Sequence, residues 1–196
     1  MEKFSAESDK PESKFSESKL LEKRILFISE AINAKVAKSV INTLLLLDAE
    51  NQNPIRLFMN SPGGEVNSGF AIFDMIRFIE SDVHIINTGL CASIATVINL
   101  AAKKEHRYGM PNARFMIHQP LIGGYVQGQA SDLEITAKEI LKTRARINRL
   151  LAEECKQPIE KVEEDATRDY WMTSNEALEY GLITKIIETA SDLKIK

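Results

Sequence analysis

With 196 residues, 44% of them hydrophobic, and a formal net charge of −3, the chain has the size and composition of one globular domain able to bury a real core. No basic face points to nucleic acid or an anionic membrane surface, and no apolar run reaches the roughly 18 residues of a membrane span. The two cysteines, Cys91 and Cys155, lie in apolar segments without metal-ligand spacing, which is the pattern of reduced core thiols in a cytoplasmic protein.

Residues 1–19 are charged and serine-rich, carry no hydrophobic segment of the secretory kind, and read as a flexible tail. Residues 20–190 read as a single domain and 191–196 as a short C-terminal tail. Arg24 to Ile28 predicts a first strand. Ala34 to Asp48 has Val36, Val40, Leu44 and Leu47 at helical spacing and predicts an amphipathic helix. Pro54 breaks the chain before a second strand, Ile55 to Met59. That strand runs into Asn60-Ser61-Pro62-Gly63-Gly64, a turn that lets backbone approach a ligand without a Cβ in the way. A helix from about Val66 to Glu80 follows, with Phe70, Phe73, Ile76 and Ile79 on one side.

Val83 to Asn87 predicts the third strand, Gly89 to Ala92 a small-residue elbow, and Ser93 to about Ala102 the third helix. Arg114 to His118 is a further strand. Pro120 to Ala130 is loop-like. Ser131-Asp132-Leu133-Glu134 has the form of a capping box opening a helix that runs to about Cys155. A helix of about 25 residues is nearly 40 Å long, more than a domain this size needs, so part of it is expected to pack on another subunit. Pro158 starts a short helix to about Ala166. Thr173-Ser174-Asn175-Glu176 is a second capping box, Gly181 ends its helix, and Leu182 to Ile187 is a final strand.

Strand, small-residue turn and helix thus occur twice in succession, the pattern of an α/β fold with parallel strands. Ligands in such sheets bind beyond the carboxyl ends of the strands, and Gly64, Ser93 and His118 all fall there. A serine at a helix start is most often a cap. Its coincidence with His118 and Gly64 at neighbouring strand ends favours a nucleophile instead. A serine nucleophile needs a base that titrates near neutrality, and histidine is one. It also needs N–H groups aimed at the developing oxyanion, which the amides of Gly64 and Ile94 could supply. His84 and His106 read as structural or solvated. An orienting carboxylate completes such a site. Asp165 and Asp169 are both candidates, and spacing does not choose between them.

The chain resembles the proteolytic subunits of the Clp protease family from about Leu20 to Ile187. The resemblance is carried by Asn60-Ser61-Pro62-Gly63-Gly64, Cys91-Ala92-Ser93, Pro111-Asn112, Met116-Ile117-His118-Gln119-Pro120, Gln127-Gly128-Gln129-Ala130, Glu139-Ile140-Leu141 and Arg168-Asp169. It implies Ser93 as nucleophile, His118 as base, Asp169 as orienting acid, and the amides of Gly64 and Ile94 as oxyanion donors. It also implies a crotonase-like fold of repeated strand–turn–helix units with a protruding handle, about residues 121–155. The implied assembly is two stacked seven-membered rings around a chamber, homomeric or mixed. It would be fed unfolded polypeptide by a hexameric AAA+ unfoldase that uses the ATP, with no cofactor in this subunit.

Four features depart from the family's pattern. Ile94-Ala95 stands where Met-Gly is usual, Thr167 where an acid is common, the loop near Ile122 and Val126 carries extra residues, and the N-terminal segment is polar. Two rival readings accompany the peptidase. One is a weakly active or inactive ring subunit that needs a second Clp proteolytic subunit. The other is a crotonase-type acyl-CoA enzyme, which would need a CoA-binding face and leaves Ser93, His118 and Asp169 unexplained as a set.

Overall fold

The structure, a computed structural model, describes residues 18–121 and 128–193. The expected tail through residue 17, the last three residues and most of the loop after Leu121 lie outside the described residues. Residues 18 and 19, expected in the tail, belong to a helical turn over 18–22.

The strands are β1 (Ile25–Ile28), β2 (Ile55–Ser61), β3 (Val83–Ala92), β4 (Arg107–Gly109), β5 (Arg114–Ile117), β6 (Tyr170–Thr173) and β7 (Lys185–Ile186). The helices are α1 (Ala34–Glu50), α2 (Val66–Phe78), α3 (Ile94–Asn99), α4 (Ala130–Cys155), α5 (Ile159–Asp165) and α6 (Ser174–Tyr180). Short 3₁₀ turns cover Lys104–His106 and Ala190–Asp192, the second falling where the sequence reading begins a tail.

The sheet order is β1-β2-β3-β4-β7, all parallel, with β5 parallel to β3 and β6 antiparallel to β5. β3 serves two neighbours in succession. Its first part, Ile85 to Asn87, pairs with β4, and its last three residues, Leu90 to Ala92, pair with β5. The residues read as an elbow from Gly89 to Ala92 are therefore strand, and the elbow narrows to Ser93. Val83 to Asn87 is buried throughout, as in parallel sheets covered on both faces.

α1 buries Val36, Val40, Leu44 and Leu47, the stripe its spacing predicts. The Asn33 side chain caps its first turn by accepting from the Lys35 and Val36 amides. Arg24 closes its other end: the guanidinium donates to the carbonyls of Leu47 at 2.7 Å and Asn51 at 3.1 Å. A cation at that end also complements the helix dipole.

The capping box at Thr173 is present, with Glu176 and Thr173 bonded reciprocally and Gly181 ending the helix. The one expected at Ser131 is not. α4 starts at Ala130 from Gln129, whose carbonyl accepts from Asp132 and Leu133, so Ser131 is already helical and caps nothing. α4 divides in two: Ile147, Asn148, Leu151 and Cys155 are buried, while Leu133, Ile135 and Leu141 are exposed.

Candidate active site

Three strand ends meet beside α3. Ser93 lies between β3 and α3 with φ +56° and ψ −125°, a conformation that costs a non-glycine residue of order 1–3 kcal/mol. Both sides of the turn hold it there. The Ser93 amide donates to the Met116 carbonyl at 2.8 Å, continuing the β3–β5 ladder. The Ser93 carbonyl accepts from the Thr96 amide at 3.0 Å and the Thr96 hydroxyl at 2.6 Å, which starts the helix at once. Asn99 at the end of α3 is bonded to Asn87 and to the Leu182 carbonyl, so the helix is pinned from below.

The Pro-Gly-Gly turn after β2 comes close, but the approach is first of all one of the chain to itself. A Cβ on Gly63 would stand 2.7 Å from Ser93 Cβ, and one on Gly64 2.1 Å from the Ile32 carbonyl oxygen. Both glycines have positive φ, +89° and +152°. Ile32 donates to the Gly63 carbonyl and accepts from the Glu65 amide, fixing the turn against the serine.

Strand register delivers the other two side chains. β5 and β6 pair Arg114 with Thr173 through Ile117 with Tyr170, so the next rung sets His118 opposite Asp169. His118 Nδ1 lies 3.0 Å from Asp169 Oδ1, and His118 Nε2 lies 2.8 Å from Ser93 Oγ. Because the carboxylate only accepts, Nδ1 carries the proton and Nε2 is free to accept from the serine. The His118 side chain is 13% exposed and that of Asp169 60%. Just past this rung, Gln119 donates from its amide to the Ala166 carbonyl at 2.6 Å and from its side chain to the Thr167 carbonyl at 2.9 Å. The two candidate acids separate cleanly: Asp165 pairs with Lys161 and Asp169 with His118.

Ile94, the first residue of α3, has an amide for which the helix offers no acceptor. A small apolar cavity adjoins Ser93, lined in part by Val66, Val97, Ile117, Pro120 and Leu151.

His84 and His106 stand elsewhere, stacked at 3.8 Å, with His84 Nδ1 also 3.2 Å from the Tyr108 hydroxyl. Sequence reading treated them separately and missed the pair. Burial pushes both thiols up, that of Cys155 to about 12, so neither is poised as a nucleophile. Among the described residues no cluster of three or more His, Cys, Asp or Glu could hold a metal, and no helix is long and apolar enough to cross a membrane. Gln119 lies beside the site without having been assigned a role there from sequence, and Gly63 had one only as part of the turn that brings backbone close to a ligand. Gln119 has no local signal, since its partners are set by the β5–β6 pairing.

Fold and site together define an α/β protein with a serine, a histidine and an aspartate in one hydrogen-bonded chain at the carboxyl ends of a largely parallel sheet. The family model described as Clp protease matches residues 8–190. The ATP-dependent Clp protease proteolytic subunit 2 of Treponema pallidum is 43% identical over 192 residues, covering 97% of this chain and 95% of that protein. The proteolytic subunit 3 of Rhizobium etli is 43% identical over 183 residues, 93% of each. A solved structure of a mutant ClpP1 from Listeria monocytogenes superposes with a TM-score of 0.83 at 44% identity, covering 90% of this chain and 98% of that one. The chain belongs to the Clp protease family, a family of serine peptidases.

Proposed function

We propose that this chain is a serine endopeptidase subunit that hydrolyses unfolded polypeptide. The observation that carries this reading is the unbroken Ser93–His118–Asp169 chain, with contacts of 2.8 and 3.0 Å. Ser93 Oγ attacks the scissile carbonyl carbon while its proton passes to His118 Nε2. Asp169 holds the imidazolium by the Nδ1–H bond. The carbonyl oxygen, now an anion, takes hydrogen bonds from the amides of Gly64 and Ile94, each donor contributing roughly 2.7–4 kcal/mol. On collapse the C–N bond breaks and the Nε2 proton goes to the departing amine, leaving an ester on Ser93. Water then attacks that ester, giving its proton to His118. The second collapse returns the proton to Ser93 and frees a carboxylate product.

The relatives are named as subunits of an ATP-dependent protease. On that likeness we assign this subunit to stacked heptameric rings served by a hexameric AAA+ unfoldase, with the ATP used by that partner. The exposed Leu133, Ile135 and Leu141 on the free half of α4 support a handle that packs on another subunit. Sedimentation of the purified protein would distinguish rings from monomer. The three site side chains meet within one chain beside the buried Ala95, and that meeting favours a competent subunit over a structural one. Membership of the Clp family weighs against the acyl-CoA reading.

The test is Ser93→Ala, assayed on a short fluorogenic peptide in the most active assembly and by fluorophosphonate labelling. Loss of a triad member is expected to lower the rate by on the order of 10⁴–10⁶ and to abolish labelling. Near wild-type cleavage by the variant would overturn the assignment.

A further inference from the structure

We infer that Gly69, on α2 and outside the hydrogen-bonded chain, is a positioning residue that fixes the place of the Ile94 amide. This rests on the reading of that amide as an oxyanion donor. A Cβ at Gly69 would lie 2.1 Å from Ile94 Cγ1, 3.2 Å from its Cδ1 and 3.3 Å from its Cβ. The contact is with the root of the side chain, one bond from Cβ, rather than with a tip that could swing aside. Ile94 is 2% exposed, so close packing on its other sides leaves the side chain little room to turn away. The Ile94 side chain is seated in a groove that exists only because residue 69 has no side chain. A glycine inside a helix costs about 1 kcal/mol relative to alanine, and here that cost has a compensating use.

α2 does not drift to relieve the contact. Its first turn is stiffened internally by the Gly69 amide on the Glu65 carbonyl at 3.0 Å and the Ser68 hydroxyl on the Glu65 carboxylate at 2.8 Å, and it is anchored to the neighbouring segment by the Glu65 amide on the Ile32 carbonyl at 2.8 Å. Gly64 lies two residues before α2. One helix therefore carries the first donor at its entrance and grips the residue bearing the second donor one turn later. The Ser93 turn sets one side of the separation between the two amides, and α2, through the Gly69 contact with Ile94, sets the other.

A double-mutant cycle tests this, with Gly69→Ala, Ile94→Ala and both together. The readouts are the rate of Ser93 labelling by a fluorophosphonate, whose phosphoryl oxygen takes the oxyanion position, and kcat and KM on a short fluorogenic peptide. Losing a donor outright costs about 10²–10³ in kcat, so displacing one in Gly69→Ala should slow labelling and kcat by roughly 10–100-fold with KM within about twofold. In the Ile94→Ala background the same Gly69→Ala change should alter either rate by less than about twofold, because the obstructed side chain is gone. Equal losses in both backgrounds, or a loss confined to KM, would overturn the inference. Should Gly69→Ala alone fail to fold, Ile94→Ala carries the test. With the amide freed from the groove, Ser93 should label at least about fivefold more slowly and KM should stay unchanged, and labelling at the wild-type rate would overturn the inference. Wild-type protein that does not label at Ser93, or that keeps its activity as Ser93→Ala, would instead refute the serine-nucleophile reading itself.

Discussion

Asp169→Asn separates the two things the acid does for His118. With its amide oxygen turned to Nδ1, asparagine still accepts the bond now seen at 3.0 Å and only a unit of negative charge is lost; turned the other way, its NH2 donates to Nδ1 and selects the wrong tautomer. At 3.0 Å that charge is worth about 1.4 kcal/mol to an imidazolium in a bulk-water dielectric and about 5.5 kcal/mol at an effective constant near 20. The Asp169 side chain is 60% exposed, which places the site toward the screened end. We take ~1.5–3 kcal/mol, or about 10–150-fold in kcat. Asp169→Ala removes the acceptor as well and should cost about another 1 kcal/mol. Where the asparagine instead selects the wrong tautomer, the change costs about 10⁴. The assay is kcat at saturating fluorogenic peptide, with Ser93→Ala as the floor. An Asn variant at that floor would refute the screened-charge reasoning, and one with full activity would remove Asp169 from the site.

Two further outcomes concern the body of the fold. Burial first, and then the charge of His106, hold His84 down to about 4, from an ordinary value near 6.5; Asp82 opposes this, Lys103 and Arg56 add to it, and Tyr108 accepts or donates at its ring. The unfolded chain binds the proton more readily between those values, so stability is complete above pH 6.5 and is lost as pH falls toward 4. His84→Gln should flatten the Tm–pH profile across that window by about 1–2 kcal/mol, and parallel profiles would count against it. Glu154→Ala strands Arg107, a guanidinium 1% exposed that otherwise keeps only the Leu100 and Ala102 carbonyls. A fully buried broken pair costs about 3–5 kcal/mol; with Glu154 partly exposed we expect about 2–4 kcal/mol and a Tm lower by roughly 5–12 °C. A shift under about 2 °C would contradict this.

What could be read from the sequence was whatever repeats locally. The apolar runs of β1, β2 and the first half of β3, the stripe of α1 and the Thr173 cap each declare themselves within a few residues. β4 did not, because Arg107-Tyr108-Gly109 is a strand by virtue of its neighbours β3 and β7, with a buried arginine whose partners, the Leu100 and Ala102 carbonyls and Glu154, all lie outside the strand. β6 did not, because Tyr170 to Thr173 pairs only with a strand more than fifty residues earlier. That same long-range pairing distinguishes Asp169 from Asp165, so spacing alone could not choose between them. Ser131 failed as a cap for a related reason: a capping sequence describes an available partner, and here the Gln129 carbonyl began the helix first. Ser93, His118 and Gly64 were legible because each sits where a local pattern changes.

The rung that faces His118 with Asp169 is the first one beyond the end of the β5–β6 ladder, and the Gln119 bonds close the chain immediately after it. Strand ends are where opening is cheapest, often far below the free energy of global unfolding. The acid and base are therefore joined at the edge of a cooperative unit, between a ladder on one side and two bonds on the other. Loosening that edge separates imidazole from carboxylate while the core around Leu44, Leu57 and Ile85 stays closed. Melting temperature and the His118–Asp169 contact consequently report on different parts of this molecule, and a variant can hold the first unchanged while losing the second.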